Sequence, residues 1–315
     1  ALRRYVRGPA SAKPPMDDTL SILNELQLYL AAVDQALKSG APQPASDLPT
    51  RVAAESDRAG GEPVRSLLSS IGTQSKDVTG MLLRTNLANE VKAGIGDACN
   101  QSIAGRYPFN PRSPSDVTTA DFGAMFGVGG RFDRFVSEKL LAQVDTSARP
   151  VWKFRDNKLG NDSGSLIQFQ RAQVIRETFF PSGGNVPTLQ VTFKPVEMDA
   201  SISQFTLDVD GKVVSYAHGP LIPVPVTWPG PRGSNQVRLQ VQPAGATGSG
   251  TLTEGPWALM RLFDRVKLEP MGRPEQFRAT FDFEGRKAVF EVTAASVRNP
   301  FRLRELAEFS CPNGL

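Results

Sequence analysis

Few residues in this chain have the types and spacing for chemistry. Residues 126–133, "FGVGGRFD", gather glycines ahead of a helix, an arrangement that can cradle a phosphate on backbone amides. The stretch lacks the Gly-Lys-Ser/Thr ending that supplies the lysine and magnesium-binding hydroxyl of a P-loop. A helix precedes it rather than a strand, so the dinucleotide fingerprint fails as well. The expected role is a helix-to-helix turn in which glycines accept positive φ.

His218 is the chain's one histidine, and any Ser-His-Asp or Cys-His machinery would have to use it. It stands in "YAHGP" after a strand, with no nucleophile-elbow motif anywhere, and reads as a strand-end residue with local hydrogen bonds. "DVDGK", residues 208–212, imitates the opening of a calcium loop, but Gly211 comes too early and no glutamate closes the loop. A hairpin turn explains it. Asp264 alone among the acids has a distinctive aromatic context, and it suits a cap or an ion pair. Cys99 and Cys311 fit neither a metal-ligand spacing nor a Cys-x-x-Cys motif. They either pair across the chain in an oxidising compartment or serve as buried small hydrophobes. With one histidine and two separated cysteines, zinc lacks ligands. The expectation is therefore no enzyme, no cofactor and no metal.

The chain has 315 residues, enough for about two domains. Its hydrophobic fraction of 40% and charged fraction of 22% are those of ordinary globular proteins. The formal charge is +4, with both signs interspersed, which argues for a solvated surface rather than nucleic-acid binding. No run approaches the ~18 apolar residues of a membrane span. No signal-peptide pattern stands at the start, and the opening "ALRRYVRG" reads as the beginning of a fragment.

Elements must position whatever function remains. Residues 15–40 predict a helix, started by Asp17 or Asp18, striped by Leu23, Leu26, Leu30, Val33 and Leu37, and ended by Gly40. Residues 41–63 show no periodicity and read as a mobile connection. Helical spacing returns in "VRSLLSSIG" and from Ser75 to Ile103, with Val78, Leu82, Val91 and Ile95 on the inner face. "TTADFGAMF", capped by Thr118 or Thr119, "RFDRFVSEKLLAQVD" and "SLIQFQRAQVIRETFF" complete an all-α part. The period then changes to 2. Leu189, Val191 and Phe193 alternate with polar residues; so do Phe205–Val209 into "DGK", Val237–Val241, and Phe277–Phe283 through "EGR" to Ala288–Ala294. "GPWALMRLFD" is a helical turn lying over that sheet. The fold class is α+β and multi-domain: an all-α helical domain over 1–180, followed by an antiparallel β-sandwich over 185–315 with a short C-terminal helix.

One stretch suits partners. "GPLIPVPVTWPGPRG", residues 219–233, carries prolines that remove ladder donors, so it predicts an edge strand and loop. Leu221, Ile222, Val224, Trp228 and Arg232 are its candidate partner-binding residues, Trp228 being either an interface anchor or core packing.

Several stretches together resemble the C-terminal periplasmic region of the IcmF/TssM family of type VI secretion systems. They are "CNQSIAGRYPF", "DVTTADFGAMFGVGGRFDRFV", "RAQVIRETFFP", "FTLDVDGKVVSYAHGP", "WPGP", "EGPWALMRLFD" and "FSCP", in that order from about residue 70 onward. Residues 1–70 carry no such motif. The resemblance implies a scaffold in the periplasm that binds the outer-membrane lipoprotein TssJ. It also implies assembly with inner-membrane TssL through the full-length protein, and self-association into a ring-like complex. The membrane would be reached only through a region outside this sequence. Some family members carry a nucleotide-binding motif in their cytoplasmic portion, and no such stretch occurs here. The alternative to a scaffold is a periplasmic module that binds or processes peptidoglycan.

Overall fold

A computed structural model describes residues 2–8, 13–39, 44, 46–58, 61–155, 163–245 and 248–315. Four helices come first: α1 (Leu2–Arg7), α2 (Pro15–Ser39), α3 (Leu48–Arg58) and α4 (Val64–Val91). They enclose a small core of Tyr5, Leu26, Val52 and Leu68. Gly72 lets α4 approach α3 closely, because a Cβ there would stand 2.6 Å from the Ala53 nitrogen. The expected connection over 41–63 is thus interrupted by a helix whose Val52 is fully buried. Gly40, residues 41–43, 45 and 59–60, and the Leu37 side chain lie outside the described residues.

Helix α4 runs for 28 residues, about 42 Å at helical rise. Leu68 at one end enters the small core and Leu87 and Val91 at the other enter a larger one. Its middle bridges the two, and Val78, expected on an inner face, is 50% exposed there. A π-helical turn at Lys92–Gly96 and α5 (Asp97–Ser102) continue the rod. Then follow α6 (Thr119–Phe126), α7 (Arg131–Phe135) with a π-helical turn to Leu140, a two-residue pairing of β1 (Val144–Asp145) with β2 (Lys153–Phe154), and α8 (Ser163–Phe179). Thr118 caps α6, its Oγ1 accepting from the Asp121 amide at 3.0 Å.

The sandwich begins with β3 (Leu189–Met198), β4 (Gln204–Val209), β5 (Lys212–Tyr216) and β6 (Val224–Trp228). After β7 (Gln236–Gly245) and β8 (Gly248–Glu254), α9 (Ala258–Phe263) crosses over, and β9 (Lys267–Pro270), β10 (Gln276–Phe283) and β11 (Arg286–Ala294) complete it. One sheet has the order β6-β3-β11-β10-β9, the other β5-β4-β7-β8, and every pairing is antiparallel. The two hairpin turns, Asp210-Gly211 and Glu284-Gly285, have positive φ at both residues, as hairpins of right-handed twist require. Inward phenylalanines join the sheets, Phe205 lying 4.6 Å from Phe290 and 5.2 Å from Phe281 between ring centroids. A 3₁₀ turn (Pro300–Arg302) and α10 (Arg304–Ala307) close the chain.

The larger core does not divide near residue 180, where the change of sequence period places the domain boundary. One continuous apolar cluster runs from Leu87 through the helices and both sheets to Leu315. Trp257 is its junction: the indole packs 4.8 Å from Phe122 and 5.8 Å from Phe179, and its N–H donates to the Val117 carbonyl at 2.7 Å. Beside it the Tyr107 hydroxyl donates to Asp264 at 2.7 Å, while Arg261 lies 4.0 Å over the Tyr107 ring and pairs with Asp116. Burial first, and then the Asp264 carboxylate, hold the Tyr107 phenol well above its ordinary pKa.

The C-terminal segment returns to the helices. Cys311 is bonded to Cys99 in α5. Phe309 sits within 5.7 Å, between ring centroids, of Phe109, Phe126 and Phe132. Arg171 donates to the Glu308 carbonyl at 2.7 Å and to its carboxylate at 2.5 Å, and the Ser310 amide donates to Gln168.

Candidate partner-binding surface

The proline-rich stretch folds as its composition demands. Strand β6 is the outer strand of the five-stranded sheet and, among the described residues, pairs with β3 alone, from Leu189–Trp228 to Phe193–Val224. Pro225 and Thr227 face outward, while Val226 and Trp228 are buried. Ahead of it the chain runs through an irregular loop in which Leu221 is 46% and Ile222 62% exposed. Two apolar side chains beside an open strand edge form a place where a partner can add contacts and backbone hydrogen bonds.

The structure divides the five candidate residues. Leu221 and Ile222 are available and Val224 is half-buried at the rim. Trp228 is not available: it is 3% exposed, and its indole N–H donates to the Pro256 carbonyl at 3.0 Å. The strand's alternation turns it inward, so the anchor reading is corrected to core packing. Arg232 is committed to Asp208 through an ion pair of 2.9 Å, and its amide donates to the Asp210 carbonyl. It fastens the loop after β6 to the β4–β5 turn.

The same contacts account for "DVDGK". Asp208 accepts the Gly211 amide at 2.7 Å as well as Arg232. Asp210, fully buried, accepts the amide and hydroxyl of Ser234 on Oδ1, at 2.9 and 2.6 Å. Burial, the largest influence, opposes its charge, but the Ser234 hydrogen bonds with the backbone amides of Asn235 and Gln236 together hold its carboxyl below the usual range. These acids organise loops, and no group of three or more His, Cys, Asp or Glu suited to a metal occurs among the described residues.

The glycine turn is likewise occupied by the protein itself. The Gly127 amide donates to Gly123, Val128 to Gly184, Gly129 to the Asp133 carboxylate, and Gly130 to Gly127, all at 2.8–2.9 Å. The four amides of the turn itself, Gly127 to Gly130, therefore already have acceptors within the protein. Only Gly129 of the three turn glycines has positive φ, at 71°. Gly127 and Gly123 are required for another reason, which the sequence did not signal. They let the loop 183–185 lie directly on α6, and a Cβ at Gly123 would stand 1.8 Å from the Asn185 carbonyl oxygen. His218 behaves as its context suggests, its Nε2 lying 2.7 Å from the Ile202 carbonyl.

This architecture, helices and a two-sheet sandwich sharing one core, recurs in solved structures. Residues 191–296 match the Type VI secretion protein IcmF C2-like domain. The chain is 37% identical over 320 residues to "Type VI secretion system component TssM1" of Pseudomonas aeruginosa, an alignment covering 98% of this chain and 29% of that protein. It therefore spans under a third of the length of that relative. The solved C-terminal domain of the T6SS protein TssM from EAEC shares the fold, with TM-score 0.60 and 19% identity over 74% of this chain and 98% of that one. A structure titled "Type VI secretion system membrane core complex" matches at TM-score 0.70 and 16% identity, over 99% of this chain and 68% of that one. The chain belongs to the C-terminal region of the IcmF/TssM family. No helix among the described residues is long and apolar enough to cross a membrane.

Proposed function

We propose that this chain is a non-enzymatic assembly module of a type VI secretion membrane complex. It works in the periplasm and links the inner-membrane assembly, including TssL, to the outer-membrane lipoprotein TssJ through its β-sandwich. The observation that carries this reading is the alignment of 98% of this chain with 29% of TssM1 at 37% identity. The open edge of β6 with Leu221 and Ile222 supports a docking role for the sandwich. The bond between Cys99 and Cys311 supports an oxidising compartment, since cytosolic reductants keep such thiols free.

The test is binding of the whole 315-residue chain to soluble TssJ by biolayer interferometry, because the sandwich shares its core with the helices. Leu221→Asp with Ile222→Asp is expected to weaken binding by about tenfold or more while leaving the melting temperature unchanged. No binding of the parent chain refutes the lipoprotein link, and unchanged binding of the double variant moves the site off this edge. Co-sedimentation with purified cell wall, or hydrolysis of it, would favour the peptidoglycan reading instead.

A further inference from the structure

Asn313 is the one asparagine in the sequence that is followed by glycine. In such a pair the backbone amide after the asparagine can attack the side-chain carboxamide, because glycine has no Cβ to hinder the approach. The outcome depends on whether the fold ties the two reacting groups down. Asn313 is exposed, and no hydrogen bond holds its side chain or the Gly314 amide among the described residues. Gly314 has φ of 152°, which side chains rarely adopt, so the backbone itself favours glycine there. Comparable places in the chain are closed. Asp210-Gly211 could form the same ring, but Asp210 is fully buried and the Gly211 amide donates to Asp208 at 2.7 Å. Asn110 and Asn299 precede prolines, which carry no N–H. Asn86 and Asn89 lie inside α4, where the next amides belong to the helical ladder.

The residues on either side of Asn313 are seated. Cys311 is bonded to Cys99, and Pro312 is buried with its carbonyl oxygen over Gly96, where a Cβ would stand 2.4 Å away. Gly314 lies against Ala88 of α4, and Leu315 is buried in the larger core. Asn313 is therefore an exposed point between two fixed ones. A change of backbone length there has to move a packed neighbour.

We propose that Asn313 is a site of spontaneous deamidation through which the folded protein ages at its C-terminal segment. In mildly alkaline water the Gly314 nitrogen gives its proton to solvent and bonds to the Asn313 Cγ. The bond from Cγ to Nδ2 breaks, and Nδ2 leaves as ammonia with a proton taken back from solvent. The product is a five-membered succinimide, which water opens at either carbonyl. Breaking the bond from the Gly314 nitrogen to Cγ leaves aspartate. Breaking its bond to the Asn313 backbone carbonyl leaves isoaspartate, whose main chain runs through Cβ and Cγ. No electrons are exchanged, and water is the only other reactant. Both products add a negative charge, and isoaspartate also lengthens the main chain by one methylene between Pro312 and Leu315. Pro312 is held beside the disulfide, so Leu315 is the anchor that gives way. The inference does not depend on the partner reading.

The experiment incubates the whole 315-residue chain, folded or in guanidinium chloride, in mildly alkaline heavy-oxygen water. Reduction and trypsin, which cuts after Arg304, then yield peptide 305–315 for mass spectrometry. The expected result is a growing share of that peptide in which the amide has become an acid carrying one heavy oxygen, with isoaspartate outweighing aspartate. The folded rate should lie within about tenfold of the unfolded one, the effect of a single modest hydrogen bond. Asn313→Gln, whose longer side chain closes a larger ring more slowly, should remove the signal and leave the melting temperature unchanged. The isoaspartate form, isolated by ion exchange, should lose Leu315 to carboxypeptidase faster than the parent with its disulfide intact. The proposal is overturned by a folded rate below about a tenth of the unfolded one, or by exchange that persists in Asn313→Gln. Equal protection of Leu315 in the isolated isoaspartate form also overturns it.

Discussion

Replacing both cysteines, Cys99→Ala with Cys311→Ala, tests how the C-terminal segment is held. The bond closes a loop across a sequence separation of 212 residues. The loss of chain entropy in the unfolded state for that length is about 5 kcal/mol, while measured removals of native disulfides centre nearer 3 kcal/mol. Near 60 °C a globular chain has an unfolding entropy of about 2.1 cal/mol/K per residue, so 3 kcal/mol lowers the melting temperature of 315 residues by about 5 °C. The segment keeps other anchors in the variant: Phe309 among three phenylalanine rings, Arg171 on Glu308, and Ser310 on Gln168. It should therefore stay docked at 25 °C, with residues 304–315 still protected from carboxypeptidase. Calorimetry and timed proteolysis measure the two parts separately. A melting temperature within about 1 °C of the parent would refute the entropic argument. Release of the segment at 25 °C would show that the bond, not the aromatic cluster, holds it. Two free thiols in the non-reduced parent would remove the premise.

Three further outcomes follow from the packing. Trp228→Ala should cost about 3–5 kcal/mol in denaturant unfolding, since it empties a buried indole site and orphans the Pro256 carbonyl; a loss below about 1 kcal/mol contradicts its burial. Gly123→Ala should cost about 3 kcal/mol by driving the Asn185 carbonyl off α6, whereas magnesium with ATP should leave the melting temperature of the parent unmoved because the turn amides have acceptors already. Because Tyr107 binds its proton more tightly folded than unfolded, its contribution is complete below the unfolded tyrosine pKa near 10 and is lost as pH rises beyond it. Tyr107→Phe should cost about 1 kcal/mol at neutral pH and flatten the fall of stability above about pH 10, read by urea titration across that range.

Much of the fold was legible because its signals are local. Thr118 capping α6, Pro181 just beyond α8, and the Asp-Gly and Glu-Gly turns each act within a few residues. The period of apolar positions distinguished helices from strands, and the prolines of 219–233 placed β6 at an edge. The candidate surface was legible in part: Leu221 and Ile222 are exposed, but the side of β6 on which Trp228 lies depends on register with β3. Helix α3 was missed because its residues bury one short face against α4 in a stretch rich in charge and alanine.

By itself the sequence determined most of the element types, with α3 and the Val144–Asp145 strand at the end of an expected helix as exceptions, and it determined the hairpin turns and the ordered motifs of a secretion-complex family. Only the tertiary structure decided how the parts share their interior. Trp257, Tyr107 and Phe309 join segments more than a hundred residues apart, and no local pattern encodes which ring will meet which. The pairing of Cys99 with Cys311 and the inward turn of Trp228 were settled in the same way. Each depends on which surfaces exclude water together, and that is a property of the assembled core.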